Sequence, residues 1–197
     1  MFNKTILNIV KNYFLKIDHE ICGIIKKVKS NDKEVVILEI HPPIIEDDKR
    51  LNCSHVYYSK IIFHTHPNIS KPYPSAEDIL KIMKSFDIEY SVIFTSWGIW
   101  KLYSNKKFKF TEKNVKNDIK KINSLLVDLY YHYKDKNFDF LFINEVVNKI
   151  NLYYKKFGLK IELILWKDFD IDQNEVNEIE YNKSAPLKSI KSTKKYS

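Results

Sequence analysis

The chain has 197 residues, is 44% hydrophobic and has a formal charge of +8. That length can bury a core without disulfide staples, and two cysteines allow at most one bridge, so a secreted disulfide framework is excluded. No apolar run is long enough to cross a bilayer, and the Lys- and Asn-interrupted N-terminus makes a poor signal peptide, which points to a soluble protein of the reducing intracellular space, the cytoplasm by default.

The charge is unevenly placed. Asn182 to Ser197 holds five lysines and no acid, and without them the formal charge falls to +3. The basicity is partly a tail property, which argues against a nucleic-acid-binding fold except through that tail.

Residues 5–17 carry Ile6, Ile9, Val10, Tyr13, Phe14 and Ile17 at helical spacing after a possible Asn3 cap. Glu20 to Lys26 is short, apolar and β-branched, and reads as a strand. The turn signal at Ser30 to Lys33 makes Glu34 to Ile40 its antiparallel return. Pro42 and Pro43 end that strand, because proline lacks the ladder donor. Residues 44–54 read as a charged loop, Val56 to Tyr58 as a short strand, and Lys60 to His64 as another strand. A proline-rich loop over 67–74 leads to a helix from Ala76 to Phe86. Tyr90 to Thr95 and Ile99 to Tyr103 flank Ser96, Trp97 and Gly98 as a hairpin. Helices are expected over 113–133 and 140–156, with Gly158 as a stop. Leu159 to Trp166 reads as a strand that rejoins the sheet.

These elements predict an α/β domain over 1–166, with a mixed, curved central sheet flanked by helices. Its core is 5–105, followed by a helical extension over 111–157 and the returning strand over 159–166. Residues 167–197 form an acidic segment and then a basic tail, expected to be disordered.

The chemistry concentrates in one stretch. A strand places residues i and i+2 on one face, so His64 and His66 can point side by side at one ion. Zinc binds imidazole nitrogen and carboxylate oxygen, and catalytic sites use three protein ligands with one position left open. The loop over 67–74 brings the chain back to Ser75 and Asp78. At a helix start, Ser75 is an N-cap and Asp78 its N3 partner, which is a structural reading of both; an N3 carboxylate can also face inward as a ligand.

HTHP, a loop and then SAED, preceded upstream by HEICGII, resembles the JAMM/MPN (Mov34/JAB1-like) zinc metalloprotease family. Glu20 stands where the family has its glutamate. His64 and His66 match the two histidine ligands, Asp78 the carboxylate ligand and Ser75 the active-site serine. The loop from His66 to Ser75 is one residue longer than the family usual. The resemblance implies an MPN/cytidine-deaminase-like layered fold and one catalytic Zn2+ held by His64, His66 and Asp78. It further implies Glu20 as general base, Ser75 as oxyanion donor, and hydrolysis of an amide or isopeptide bond beside the C-terminus of ubiquitin or a ubiquitin-like protein. An activating partner subunit is compatible with it.

Other residues carry less. Trp97 and Trp100 read as core and edge aromatics, with Trp97 a weak substrate-binding candidate because the family's corresponding region can line the groove. His19 reads as surface, and His41, His55 and His132 as ordinary surface or core residues. Cys22 is expected to pack in its strand, and Cys53 lies in a polar loop. The two are far apart in sequence, so no second, structural zinc site of the kind some family members carry is expected. The residues 168–181 lack the Gly and the ligand spacing of a calcium loop. Two other functions are set beside the peptidase: a non-catalytic MPN-type scaffold, and a nucleic-acid-associated JAB-like protein acting through the tail.

Overall fold

The computed structural model describes residues 4–30, 33–41, 44–45, 51–85, 87–105, 112–134, 139–155 and 158–169. The expected acidic segment beyond 169, the lysine tail, the prolines at 42 and 43 and the centre of the 30–33 turn lie outside them.

Six strands build a mixed sheet. They are β1 (Cys22–Ser30), β2 (Lys33–His41), β5 (Ile61–Thr65), β6 (Tyr90–Phe94), β7 (Gly98–Ser104) and β8 (Leu159–Leu165). Their order is β2-β1-β5-β6-β7-β8. Among the described residues only β5 and β6 pair in parallel; their crossover is α2 (Ala76–Lys84), as a parallel connection requires. Two-residue strands β3 (Ile44–Ile45) and β4 (Leu51–Asn52) pair separately.

Strand alternation sorts the apolar residues onto two faces. Ile24, Ile62, Ile93, Trp100, Leu102 and Ile161 meet helices α2, α3 (Glu112–Lys134) and α4 (Phe140–Tyr153). Ile25, Phe63, Val92, Phe94 and Ile99 face the other way, against Leu7 and Val10 of α1 (Lys4–Asn12) and against Phe14, Leu15 and Trp166. Gly158, at φ 65°, takes the left-handed turn that leads into β8.

Gly23 is a tight point of the sheet. A Cβ there would press on the Glu39 carbonyl and come within 2.7 Å of Phe63 Cε1, so only glycine lets β1 pair with β2 over the Phe63 ring.

The structure departs from the sequence reading in several places, among them residues 44–54, read as a loop, where β3 and β4 pair. Helix α1 stops at Asn12, and Phe14–Lys16 winds on as a 3-10 turn that buries Phe14 and Leu15. The segment expected as a strand over Val56 to Tyr58 is instead a 3-10 turn, Ser54–Val56, running into Tyr57; a turn lets Val56 bury alone while Tyr58 stays in solvent. The strand expected from Glu20 begins at Cys22, so Glu20 lies just ahead of it. Cys22 and Cys53 are joined as a disulfide with their Cα atoms 6.0 Å apart. The chain between β2 and β5 returns along the sheet edge and carries residue 53 back to β1, a contact 31 residues long that no local pattern announces. Among the described residues no helix is long and apolar enough to cross a membrane.

Candidate metal centre

The site is built from the carboxyl end of β5 and the first turn of α2. Cys22 of β1 pairs with His41 of β2 on one side and His64 of β5 on the other. Residues opposite one another in adjacent strands share a face, so His64 points to the α2 side with Ile24 and Ile62. Thr65, between the histidines, turns the other way. Its hydroxyl accepts from the Ile21 amide at 2.9 Å, and its own amide donates to the Ile21 carbonyl at 2.9 Å. That double clasp fixes the backbone next to Glu20. The His66 amide donates to the Phe94 carbonyl at 2.8 Å, so the second histidine is held one residue beyond β5 on the same ladder line.

Ser75 and Asp78 form a full capping box at the start of α2. Ser75 Oγ accepts from the Asp78 amide at 3.1 Å, and Asp78 Oδ2 accepts from the Ser75 amide at 2.9 Å. The structural reading of these two residues therefore holds, and the same box leaves Asp78 buried beside the two histidines. The box pins Asp78 in an inward rotamer, and Ala76, Ile79, Ile82 and Met83 sink the same helix into the core. Each such side chain contributes on the order of 1–3 kcal/mol of burial, so α2 cannot slide away from the histidines cheaply.

The three donor groups close on a common point. His64 Nε2 lies 3.2 Å from His66 Nε2, Asp78 Oδ1 is 3.3 Å from His64 Nε2, and Asp78 Oδ2 is 3.5 Å from His66 Nε2. A tetrahedral ion with bonds of about 2.0–2.1 Å needs its donors about 3.3 Å apart. The triangle has the size of one face of that tetrahedron. All three residues are buried, at 6–7% exposure, and together they form a group able to hold a metal ion. His66 Nδ1 lies 3.0 Å from the Lys71 carbonyl. Since a carbonyl only accepts, Nδ1 carries the proton and Nε2 presents its lone pair to the centre.

Electrostatics agree with a cation-ready site. Burial alone would push the Asp78 carboxyl up, but the charges and hydrogen bonds of His64 and His66 win and hold it well below the usual carboxylate range. Burial likewise opposes protonation of His66; the Asp78 hydrogen bond and charge, with help from Glu20 and the Lys71 carbonyl, outweigh it and raise its pKa above the ordinary histidine value. Both shifts come from the same close pairing of imidazole and carboxylate.

Glu20 Oε1 stands 3.9 Å from His66 Nε2 and its side chain is 39% exposed. It is beside the triangle but on the solvent side, so the structure places it next to the donors rather than among them. Ser75 Oγ currently donates to Asp78 Oδ2 at 2.8 Å. Trp97 is partly buried, packs on the core and sits 6.2 Å from the Tyr73 ring, so it walls the loop over 67–74. The loop over 67–74 is anchored by Trp100 Nε1, which donates to the Pro72 carbonyl at 2.8 Å. His19 pairs with Asp18 at the surface, and His132 stacks on Phe142, both away from the triangle.

Sequence reasoning missed one charged neighbour. Lys81 Nζ lies 3.7 Å from Asp78 Oδ1 and 4.7 Å from the centre of the Tyr57 ring. Its place three residues after Asp78, one helical turn on, is the signal that would have found it. Comparison with family models, with curated proteins and with solved structures finds no match to this chain.

Proposed function

We propose that the chain is a zinc-dependent metallopeptidase of the JAMM type that hydrolyses an amide or isopeptide bond at the C-terminus of ubiquitin or a ubiquitin-like protein. The observation that carries this reading is the donor triangle of His64, His66 and Asp78 with the carboxylate of Glu20 on its open side. The layering is compatible with it: α1 lies on one face of the sheet, α2 and its successors on the other, and the crossover helix carries Asp78.

His64, His66 and Asp78 hold the ion. Zinc, when bound, polarises the scissile carbonyl and lowers the pKa of water toward neutrality. Glu20, half in solvent, takes the proton of the attacking water and returns it to the leaving amine. Ser75 redirects its hydroxyl to the developing oxyanion; the Ser75 amide keeps Asp78 in place meanwhile. The Lys71 carbonyl keeps His66 in one tautomer throughout. The chain is tested by incubation with isopeptide-linked ubiquitin dimers of several linkages and with ubiquitin-like fusions, with and without chelator. Cleavage that chelator stops and zinc restores is expected; no cleavage of any member of the panel by the zinc-loaded chain would count against the substrate class.

A further inference from the structure

We propose that Cys22, His41, Cys53 and His55 form a second metal site in the reduced chain, a Cys2His2 zinc centre that the disulfide replaces on oxidation. The site goes beyond the peptidase reading and does not depend on it.

Four residues from three segments lie together, as two pairs, on the β1–β2 side of the sheet. Cys22 and His41 are direct partners across β1 and β2, so their side chains share the α2-side face, and Cys22 Sγ lies 3.4 Å from the His41 carbonyl oxygen. Cys53 and His55 lie two residues apart, at and just inside the start of a single 3-10 turn. The disulfide shows that the two sulfurs meet, and the His41 and His55 rings lie 6.0 Å apart, centre to centre. Two imidazoles on one tetrahedral zinc have ring centres roughly 5–6 Å apart, given metal–nitrogen bonds of about 2.0–2.1 Å.

The observation that asks for a ligand is His55. Both its ring nitrogens are buried and neither has a hydrogen-bond partner among the described residues. A neutral imidazole has one donor and one acceptor nitrogen, and leaving buried polar atoms unsatisfied is costly. The disulfide satisfies neither nitrogen. A metal ion would take one of them. His41 has the support that histidine ligands usually have: its Nε2 lies 3.0 Å from Glu39 Oε1, so Nε2 is the protonated nitrogen and Nδ1 keeps a lone pair. Glu39 is itself held by Lys26.

The chemistry balances. A dithiol reductant gives two electrons and two protons to the S–S bond, yielding two thiols and the oxidised dithiol. Zinc then displaces both thiol protons and binds two thiolates and two neutral imidazoles. Since Cys22 also pairs with His64, the two centres would flank one residue of β1.

Cobalt(II) tests the site in the full-length chain, because cobalt bound to thiolate gives sulfur-to-metal charge-transfer absorption in the near ultraviolet. The His64, His66 and Asp78 centre contains no sulfur and gives none. The reduced chain should bind two cobalt ions with that band, and the oxidised chain one without it. The band should persist in reduced His64→Ala, whose peptidase centre is broken, and vanish in Cys53→Ser. His55→Ala should lose or shift it. A reduced wild-type chain with no band overturns the proposal, as does a band unchanged in both Cys53→Ser and His55→Ala. The comparison of reduced and oxidised wild type needs no variant, so a misfolded variant does not rescue the idea.

Discussion

Ser75 holds two positions in the account, and Ser75→Ala separates them. As a cap it accepts from the Asp78 amide at 3.1 Å and donates to Asp78 Oδ2 at 2.8 Å. Replacing an N-cap serine with alanine costs about 1 kcal/mol. In a chain of this size that lowers Tm by roughly 2–4 °C. The Ser75 amide still reaches Asp78 Oδ2 at 2.9 Å, so the carboxylate stays in place and zinc content should be unchanged. As an oxyanion donor the hydroxyl stabilises the transition state only, and its loss should lower kcat by about 100- to 1000-fold with KM little altered. The assay is steady-state cleavage of whichever ubiquitin substrate the panel identifies, run well below Tm on protein of measured zinc content. A normal kcat with a lowered Tm would leave Ser75 a cap alone and refute its catalytic role. A Tm equal to wild type would refute the capping argument instead.

Glu20→Gln should keep its zinc and lose roughly two to four orders of magnitude in kcat, because the base is removed and the donors spared; wild-type turnover would remove Glu20 from the mechanism. Zinc stabilisation should depend on pH with a definite sign. The raised His66 pKa gives the metal-free fold a contribution fully present below the unfolded histidine value and lost as pH rises through the folded one, while the depressed Asp78 contribution is present above the ordinary carboxylate pKa and is lost only as pH falls through its low folded value. Zinc competes with the proton for His66, so the Tm gain on adding zinc should grow with pH across about 5 to 8; a gain that is flat across that range contradicts the raised His66 pKa. Gly23→Ala should cost roughly 1–3 kcal/mol or more by forcing β1 from β2, seen as a lower denaturant midpoint, and a wild-type midpoint would show that the sheet yields there.

Much of the fold was legible because it rests on local pattern. Alternation in EVVILEI and LKIELILW and helical spacing after Ser75 are short-range signals, and the elements lie where those signals do. The histidine pair was legible for the same reason: strand geometry forces i and i+2 together. What escaped was long-range or cooperative. Nothing near Cys22 or Cys53 announces a contact across 31 residues. The segment of Val56, Tyr57 and Tyr58 has β-favouring side chains, yet only Val56 is fully buried, so tertiary burial chose a turn. Glu20 looked like a strand residue because apolar neighbours follow it. The clasp between Ile21 and Thr65 instead leaves it just ahead of the strand, beside His66.

The central claim is that His64, His66 and Asp78 hold a zinc ion with one position open. Anomalous X-ray scattering on crystals of the zinc-loaded chain, recorded on both sides of the zinc absorption edge, tests it most directly. The account predicts a zinc peak bound by those three side chains alone among protein groups, with Glu20 beside the open position and not bonded to the ion. A zinc enclosed by a fourth protein ligand, or no zinc at these residues, would contradict it.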